Sequence, residues 1–243
     1  MARVKITAKT ETEKQFISIF DSLCRYQSSL KAWADFIEVS AIALANSCDK
    51  SLMRDKREKR YLDIMASYKQ DGEKFGDLYG LLVMALTENQ EQDFLGSMFM
   101  QLNLGNHWKG QFFTAYSVSR MMAQMQVETI INSTNEKGWT SIHDCACGAG
   151  ALLIAVRNAM MLKNIDWSSK ALFVAQDIDH IAGLMCYVQL SLLGCAGYVV
   201  IGDTLSNPVT GMLLHPKADD IWYMPTLYLN PVWAWRMIAE GVK

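Results

Sequence analysis

Through the first half of the chain, apolar side chains recur at three- and four-residue steps. Over residues 11–48 they fall at Phe16, Phe20 and Leu23, then at Trp33, Phe36, Ile37 and Leu44. This is the spacing of helices that bury one face. Arg54–Tyr68 reads as a further helix with Tyr61, Leu62, Met65 and Tyr68 on one side, and amphipathic helices follow at about 74–87, 91–102 and 117–132. Asn103–Gly110 is a polar, glycine-containing break. Nothing before residue 135 alternates with the two-residue period of a strand, and no internal repeat or low-complexity tract interrupts the pattern.

From residue 139 the texture changes. Thr140–His143 leads into the loop Asp144-Cys145-Ala146-Cys147-Gly148-Ala149-Gly150, followed by a helix over Ala151–Lys163. The apolar run Ala171–Gln176 ends in Asp177, a helix at 180–193 precedes Tyr198–Ile201, and that run ends in Gly202-Asp203. A fourth apolar stretch, Ile221–Leu229, ends at Asn230-Pro231. Strand, helix, strand, helix, strand predicts right-handed βαβ units and a parallel sheet. The expected fold is α/β: an incomplete Rossmann-like sheet over residues 106–243, preceded by an α-helical N-terminal domain over residues 1–105.

Charge sharpens this division. Residues 1–139 hold 17 of the 23 Lys/Arg and 17 of the 25 Asp/Glu, and the overall net charge is only −2. The first part therefore reads as solvated helix surface and the second as a buried-sheet module. No global basic field draws in nucleic acid. The charge run Arg54–Arg60 is read as a solvated helix face, or more sharply as a contact to a phosphate backbone. Six scattered cysteines and an N-terminus without an apolar signal core point to a reducing cytosol. The apolar run Gly183–Gly202 could span a bilayer by length, but Gly194 and Gly197 break it where a helix would hand over to a strand, so a buried core is expected and no membrane.

The candidate chemistry sits at the strand ends, where open α/β sheets bind ligands. Asp144 with Gly148-x-Gly150 offers a close backbone approach at a helix start. Asp177 is placed to accept from two ribose hydroxyls, and Asp203 to accept from an adenine amine. A phosphate-binding dinucleotide loop normally has a third glycine three residues on, where this chain has Leu153. Asp144 would also repel a pyrophosphate but attract an ammonium group, which favours S-adenosyl-L-methionine over NAD. Cys145 and Cys147 lack the second pair a zinc site needs, and the four histidines form no ligand-spaced pair, so no metal is expected. Met121, Met122 and Met125 read as core, as do most of the tryptophans, although Trp108, Trp222, Trp233 and Trp235 could stack on bases.

The D-x-A-C-G-x-G loop, preceded by Gly110-Gln111-Phe112-Phe113-Thr114, resembles the modification subunits of type I restriction systems and their N6-adenine DNA methyltransferase relatives. The resemblance implies that Phe113 and Thr114 close over the methionine end of the cofactor, although Ala115 stands where proline is usual. It implies that Asp144, Ala146, Gly148 and Gly150 form the cofactor loop, that Asp177 and Ile178 hold the ribose, and that Asp203 faces the adenine ring.

In that family an N-P-P-F/Y motif after the fourth strand holds the flipped adenine. Asn230-Pro231-Val232-Trp233 lies 27 residues after Asp203 and reads either as a variant of it or as a chance Asn-Pro turn. If it is the motif, Asn230 and Pro231 accept from the amine and Trp233 stacks on the base. Only ten residues follow Trp233, which leaves no room for three further strands or a target-recognition domain. Two functions are therefore expected to compete. One is a DNA adenine-N6 methyltransferase; the other is a non-catalytic S-adenosylmethionine-binding protein whose partner subunits supply target recognition on DNA.

Overall fold

A computed structural model describes residues 8–49, 51, 53–104 and 113–241. Its first half is helical: α1 (Glu11–Leu23), α2 (Ser29–Cys48), α3 (Met53–Ser67), α4 (Lys74–Glu88), α5 (Phe94–Gln101) and α6 (Tyr116–Lys137). The periodicity over residues 11–48 is broken at Cys24–Ser28, where the Ser28 side chain accepts from Lys31 N and starts a second helix. Asp93 starts α5 in the same way, accepting from Gly96 N at 2.8 Å.

The second half runs β1 (Thr140–Asp144), α7 (Ala151–Leu162), α8 (Trp167–Lys170), β2 (Ala171–Asp177), α9 (His180–Leu192), β3 (Ala196–Ile201), β4 (Thr210–Met212), β5 (His215–Lys217), β6 (Ile221–Tyr223), α10 (Pro225–Leu229) and α11 (Pro231–Gly241). The main sheet has the order β1-β2-β3-β6, and β4 and β5 form a separate hairpin. β1, β2 and β3 are parallel, in registers from Thr140 opposite Ala171 and from Leu172 opposite Ala196. Helical crossovers through α7–α8 and α9 make that direction obligatory.

Two expectations fail at the fourth strand. β6 pairs antiparallel to β3, with Val200 opposite Ile221. Residues 202–220 contain a hairpin and no helix, so nothing carries the chain back to the start of the sheet for a parallel return. The strand is also three residues long rather than reaching Leu229. Pro225 has its φ preset for the first turn of a helix and no N–H to give a ladder, so the remainder of the apolar stretch is α10.

Side chains alternate along the strands between two cores. Phe173 and Ala175 face a large cluster that runs from Phe16 through α2, α7 and α9 to Met224. Trp33 lies within it, edge-on to Phe16 and Phe20, and its indole donates to the Met185 sulfur at 3.4 Å. The helical half and the sheet thus share one interior. Leu172, Val174, Tyr198 and Val200 face the opposite way, onto Leu214, Leu227 and Trp233. The Gly183–Gly202 run is α9 plus β3, buried within the sheet, and among the described residues no helix is long and apolar enough to cross a membrane. In the charge run, Arg57 pairs with Asp49 at 2.6 Å and lies over the Trp222 ring, and Arg60 binds Glu38 through two nitrogens. The run is therefore a partly anchored helix face.

Trp233 is 0% exposed, and its indole N–H donates to Ser168 O at 2.7 Å. Asn230 donates to the same carbonyl at 3.2 Å and caps α11 by accepting from Val232 N. Trp233→Ala is therefore expected to cost about 3–5 kcal/mol in urea unfolding, and Asn230→Ala about 1 kcal/mol. A Trp233 variant as stable as the parent would refute this core role.

Candidate functional site

The carboxyl ends of β1 and β2 open onto a cavity of about 320 Å³, walled by the glycine loop, by Phe113 and Thr114 ahead of α6, and by Asp93 at the start of α5. The loop takes this form because two of its residues have left-handed backbones, Gly148 at φ 54° and Gly150 at φ 94°. Space makes the same demand. A Cβ at Gly148 would stand 3.0 Å from the Phe113 ring, and one at Gly150 2.9 Å from Cys186 Sγ. Main-chain bonds then sew the loop to β2: Cys147 N donates to Gln176 O at 3.0 Å, and Gly148 N donates to Asp177 Oδ2 at 2.7 Å. Gly150 caps α7, whose first residues, Ala151 and Leu152, turn their end of the helix toward the cavity.

Of the residues singled out from the sequence, Phe113, Thr114, Asp144, Ala146, Gly148 and Asp177 share this cavity wall. Gly150 shapes the loop behind it. Ile178, just beyond Asp177, is 72% exposed. Asp203 is not brought to the wall: its oxygens accept from Leu205 N at 2.9 Å and Ser206 Oγ at 2.8 Å. Those bonds hold its carboxyl below the usual carboxylate range. The loop that carries it is nonetheless tied to the site, since Thr204 Oγ1 donates to Cys145 O at 2.6 Å. Gly110, Gln111 and Phe112 lie outside the described residues.

Asn230, Pro231 and Trp233 are not at the cavity. Asn230 and Trp233 donate to Ser168 O, three residues ahead of the first residue of β2, and Pro231 lies between them in the chain. Asp177 is at the far end of that seven-residue strand, a separation of about 20 Å at roughly 3.3 Å per residue. The reason is the antiparallel return of β6, which delivers the chain to the wrong end of the sheet. The expected base-holding role of Asn230, Pro231 and Trp233 is corrected accordingly: in this chain they are a cap and a core anchor.

Several wall residues carried no signal that marked them as such. Asp93 falls inside the helix expected over residues 91–102, whereas it is the cap ahead of α5. Met122 was expected in the core, yet it lines the cavity, and Met121, Met122 and Met125 are all exposed. Ser119 also lines it; its hydroxyl is buried and has no partner among the described residues.

Three carboxylates, Asp93, Asp144 and Asp177, line the cavity, and no Lys or Arg does so among the described residues. Burial pushes Asp93 up from the ordinary value of 3.8, against the hydrogen bonds from Gln189 and Gly96 N. Burial also raises Asp144; the Ala146 N–H opposes this and the neighbouring Asp177 charge adds to it. A cation in the cavity would draw these protons off. Folded Asp93 holds its proton above the unfolded pKa, so this group makes stability fall as pH rises through the folded value. Asp93→Asn keeps the cap and removes the buried charge. It is expected to raise the melting temperature of the ligand-free protein at neutral pH by roughly 2–4 °C, the equivalent of about 1 kcal/mol. A lower melting temperature would contradict the burial argument.

The chain was compared with known proteins. A family model described as N-6 DNA methylase matches residues 72–233. No curated protein sequence matches significantly. Among solved structures, one provisionally assigned as a class I S-adenosylmethionine-dependent methyltransferase from Listeria monocytogenes aligns at 17% identity with a TM-score of 0.42. That alignment covers 92% of this chain and 69% of the other.

Proposed function

The chain belongs to the N-6 DNA methylase family, and from that premise we propose that it binds S-adenosylmethionine in the carboxylate-lined cavity. Its role would be that of a cofactor-holding component for adenine-N6 methylation of DNA. The observation that carries this reading is the charge of the wall. Three carboxylates face the space, and no described Lys or Arg does. Such a wall repels the pyrophosphate of a dinucleotide and attracts a ligand with an ammonium and a sulfonium group.

The remaining features fit the same ligand. Asp93 and Asp144 would receive the ammonium. The α7 N-terminus and the orphaned Ser119 hydroxyl would receive the amino-acid carboxylate, which a helix N-terminus favours. Asp177 already accepts from Gly148 N and from Asp179 N, yet each oxygen keeps a lone pair for a ribose hydroxyl. Ile178 offers an apolar surface beside it for a base. The cofactor when bound would supply an activated methyl group; the protein residues bind it, orient it and shield one side from water.

Capture of a target adenine needs acceptors for its amine and a ring to stack on. The pair at the right end of the sheet is Asn207-Pro208, and the Asn207 amide is engaged with Asp219 at 3.3 Å. Asn230 and Trp233 are on the other side of the molecule. We therefore assign base capture and DNA contacts to partner subunits, with this chain supplying the cofactor.

By calorimetry, Asp177→Ala should weaken S-adenosylmethionine binding about 10–100-fold, the loss of one or two charge-assisted hydrogen bonds. Unchanged affinity would overturn the site. Affinity should also fall as pH drops from neutral toward 4, because the ammonium needs Asp93 and Asp144 ionised, and Asp93→Asn should flatten that dependence. The purified chain alone should transfer no labelled methyl to DNA. Transfer to adenine that Asn230→Ala abolishes would overturn the component reading and restore Asn230 as catalytic.

A further inference from the structure

A second cavity, of about 240 Å³, lies between the end of α4, the middle of α7 and the turn from α9 into β3. Arg157 forms part of its wall, together with Val83, Thr87, Gln90, Leu192 and Gly194. Only 3% of this arginine is exposed, and among the described residues no carboxylate pairs with it. Its guanidinium stacks 3.8 Å above the Trp167 ring, and its Nη1 is used up by Gln90 Oε1 at 2.7 Å and Asn158 Oδ1 at 2.6 Å. Nε is enclosed and has no partner. Nη2 makes no hydrogen bond to a described residue, and it is not among the enclosed orphans, so it is the nitrogen a ligand in the cavity can reach.

A buried arginine without an anion is an unbalanced arrangement, because desolvation disfavours the charge and nothing nearby restores it. Burial lowers the Arg157 pKa. The groups that act against this are the Cys195 thiol and the Tyr116 hydroxyl, and burial itself pushes both up, Cys195 to about 12. Both are neutral at ordinary pH. The cavity therefore holds a cation with no counter-charge among the described residues.

We infer that this cavity is a second binding site, for a small free oxyanion of the phosphate or carboxylate type, held on Nη2 of Arg157. Nη2 is a charge-assisted donor to such a group. Gln90 completes the donor set. Its Oε1 is committed to Arg157, which leaves its amide Nε2 to donate. The Thr87 hydroxyl is turned to Val83 O at 2.8 Å, so it does not compete for Arg157. A half-open recess of this size suits a single phosphate or a short carboxylate better than a nucleic-acid duplex. The site is also separate from the acidic cavity: Gly194 lies ahead of β3, at the end of the sheet opposite Asp144 and Asp177.

The test uses the full chain, with sodium phosphate, sodium acetate and sodium chloride titrated at matched ionic strength and followed by calorimetry and melting temperature. Phosphate or acetate should bind saturably at one site with a Kd of about 1 mM or tighter, and chloride should not. Arg157→Gln should abolish saturable binding, Arg157→Lys should weaken it at least tenfold because its shorter, non-planar head does not place a donor where Nη2 lies, and Asp177→Ala should leave it intact. Should Arg157→Gln fail to fold, Gln90→Leu provides the second variant and should weaken binding at least threefold. Absence of saturable binding, an equal response to chloride, or full binding by Arg157→Gln would overturn the inference. Competition by a short DNA duplex would overturn the free-ion assignment and give the site to a nucleic-acid phosphate.

Discussion

The arrangement of this molecule hangs on the side chain of Gln189. It is fully buried on α9, and its amide joins three segments that are distant in sequence. Oε1 accepts from Leu95 N at 3.1 Å; Nε2 donates to Asp93 Oδ1 at 2.8 Å and to Ala149 O at 2.9 Å. One residue thus fastens the start of α5, the glycine loop and the helix behind the sheet into a single frame. In a low-dielectric interior such bonds are strong when complete and costly when broken. The position of Asp93 in the acidic cavity follows from this link, and so does the seating of the helical half against the sheet.

Charge is distributed unevenly along α7. Its first residues face a cavity of three carboxylates, while Arg157, further along, lies in a cavity with no carboxylate. The acidic end is set up by backbone geometry. Two left-handed glycines allow the loop to fold back, and the Gly148 and Ala146 amides donate to Asp177 and Asp144. A short stretch of chain runs between the two ends. Asn158 donates to Gln90 O at 2.7 Å and to the Tyr116 hydroxyl at 2.8 Å, and Gln90 is three residues before Asp93.

The antiparallel return of β6 separates cofactor chemistry from base capture. A strand direction is a property of its connection, not of its own residues. Ile221, Trp222 and Tyr223 would suit either direction. The hairpin at Thr210–Lys217 turns the chain around at the carboxyl end of the sheet, and β6 then runs away from the site. With it go Asn230 and Trp233, which become a cap and a core aromatic that also meets Trp139 edge-on at 5.6 Å.

The sequence by itself determined most helices of the first half, α7, α9, the three parallel strands and the glycine loop, because each depends on local order, whereas α8, α10 and α11 carried no such signal. Three- and four-residue periodicity selects a helix, crossover helices force parallel pairing, and Gly148 and Gly150 are needed wherever the backbone turns left-handed. It also placed Asp144 and Asp177 at strand ends. Tertiary structure alone decided the rest: that Asp93 and Met122 line the cavity, and that Asn230 lies across the molecule. These outcomes are set by which distant segments pack together, and a buried amide such as that of Gln189 reveals its partners only once the chain has closed around it.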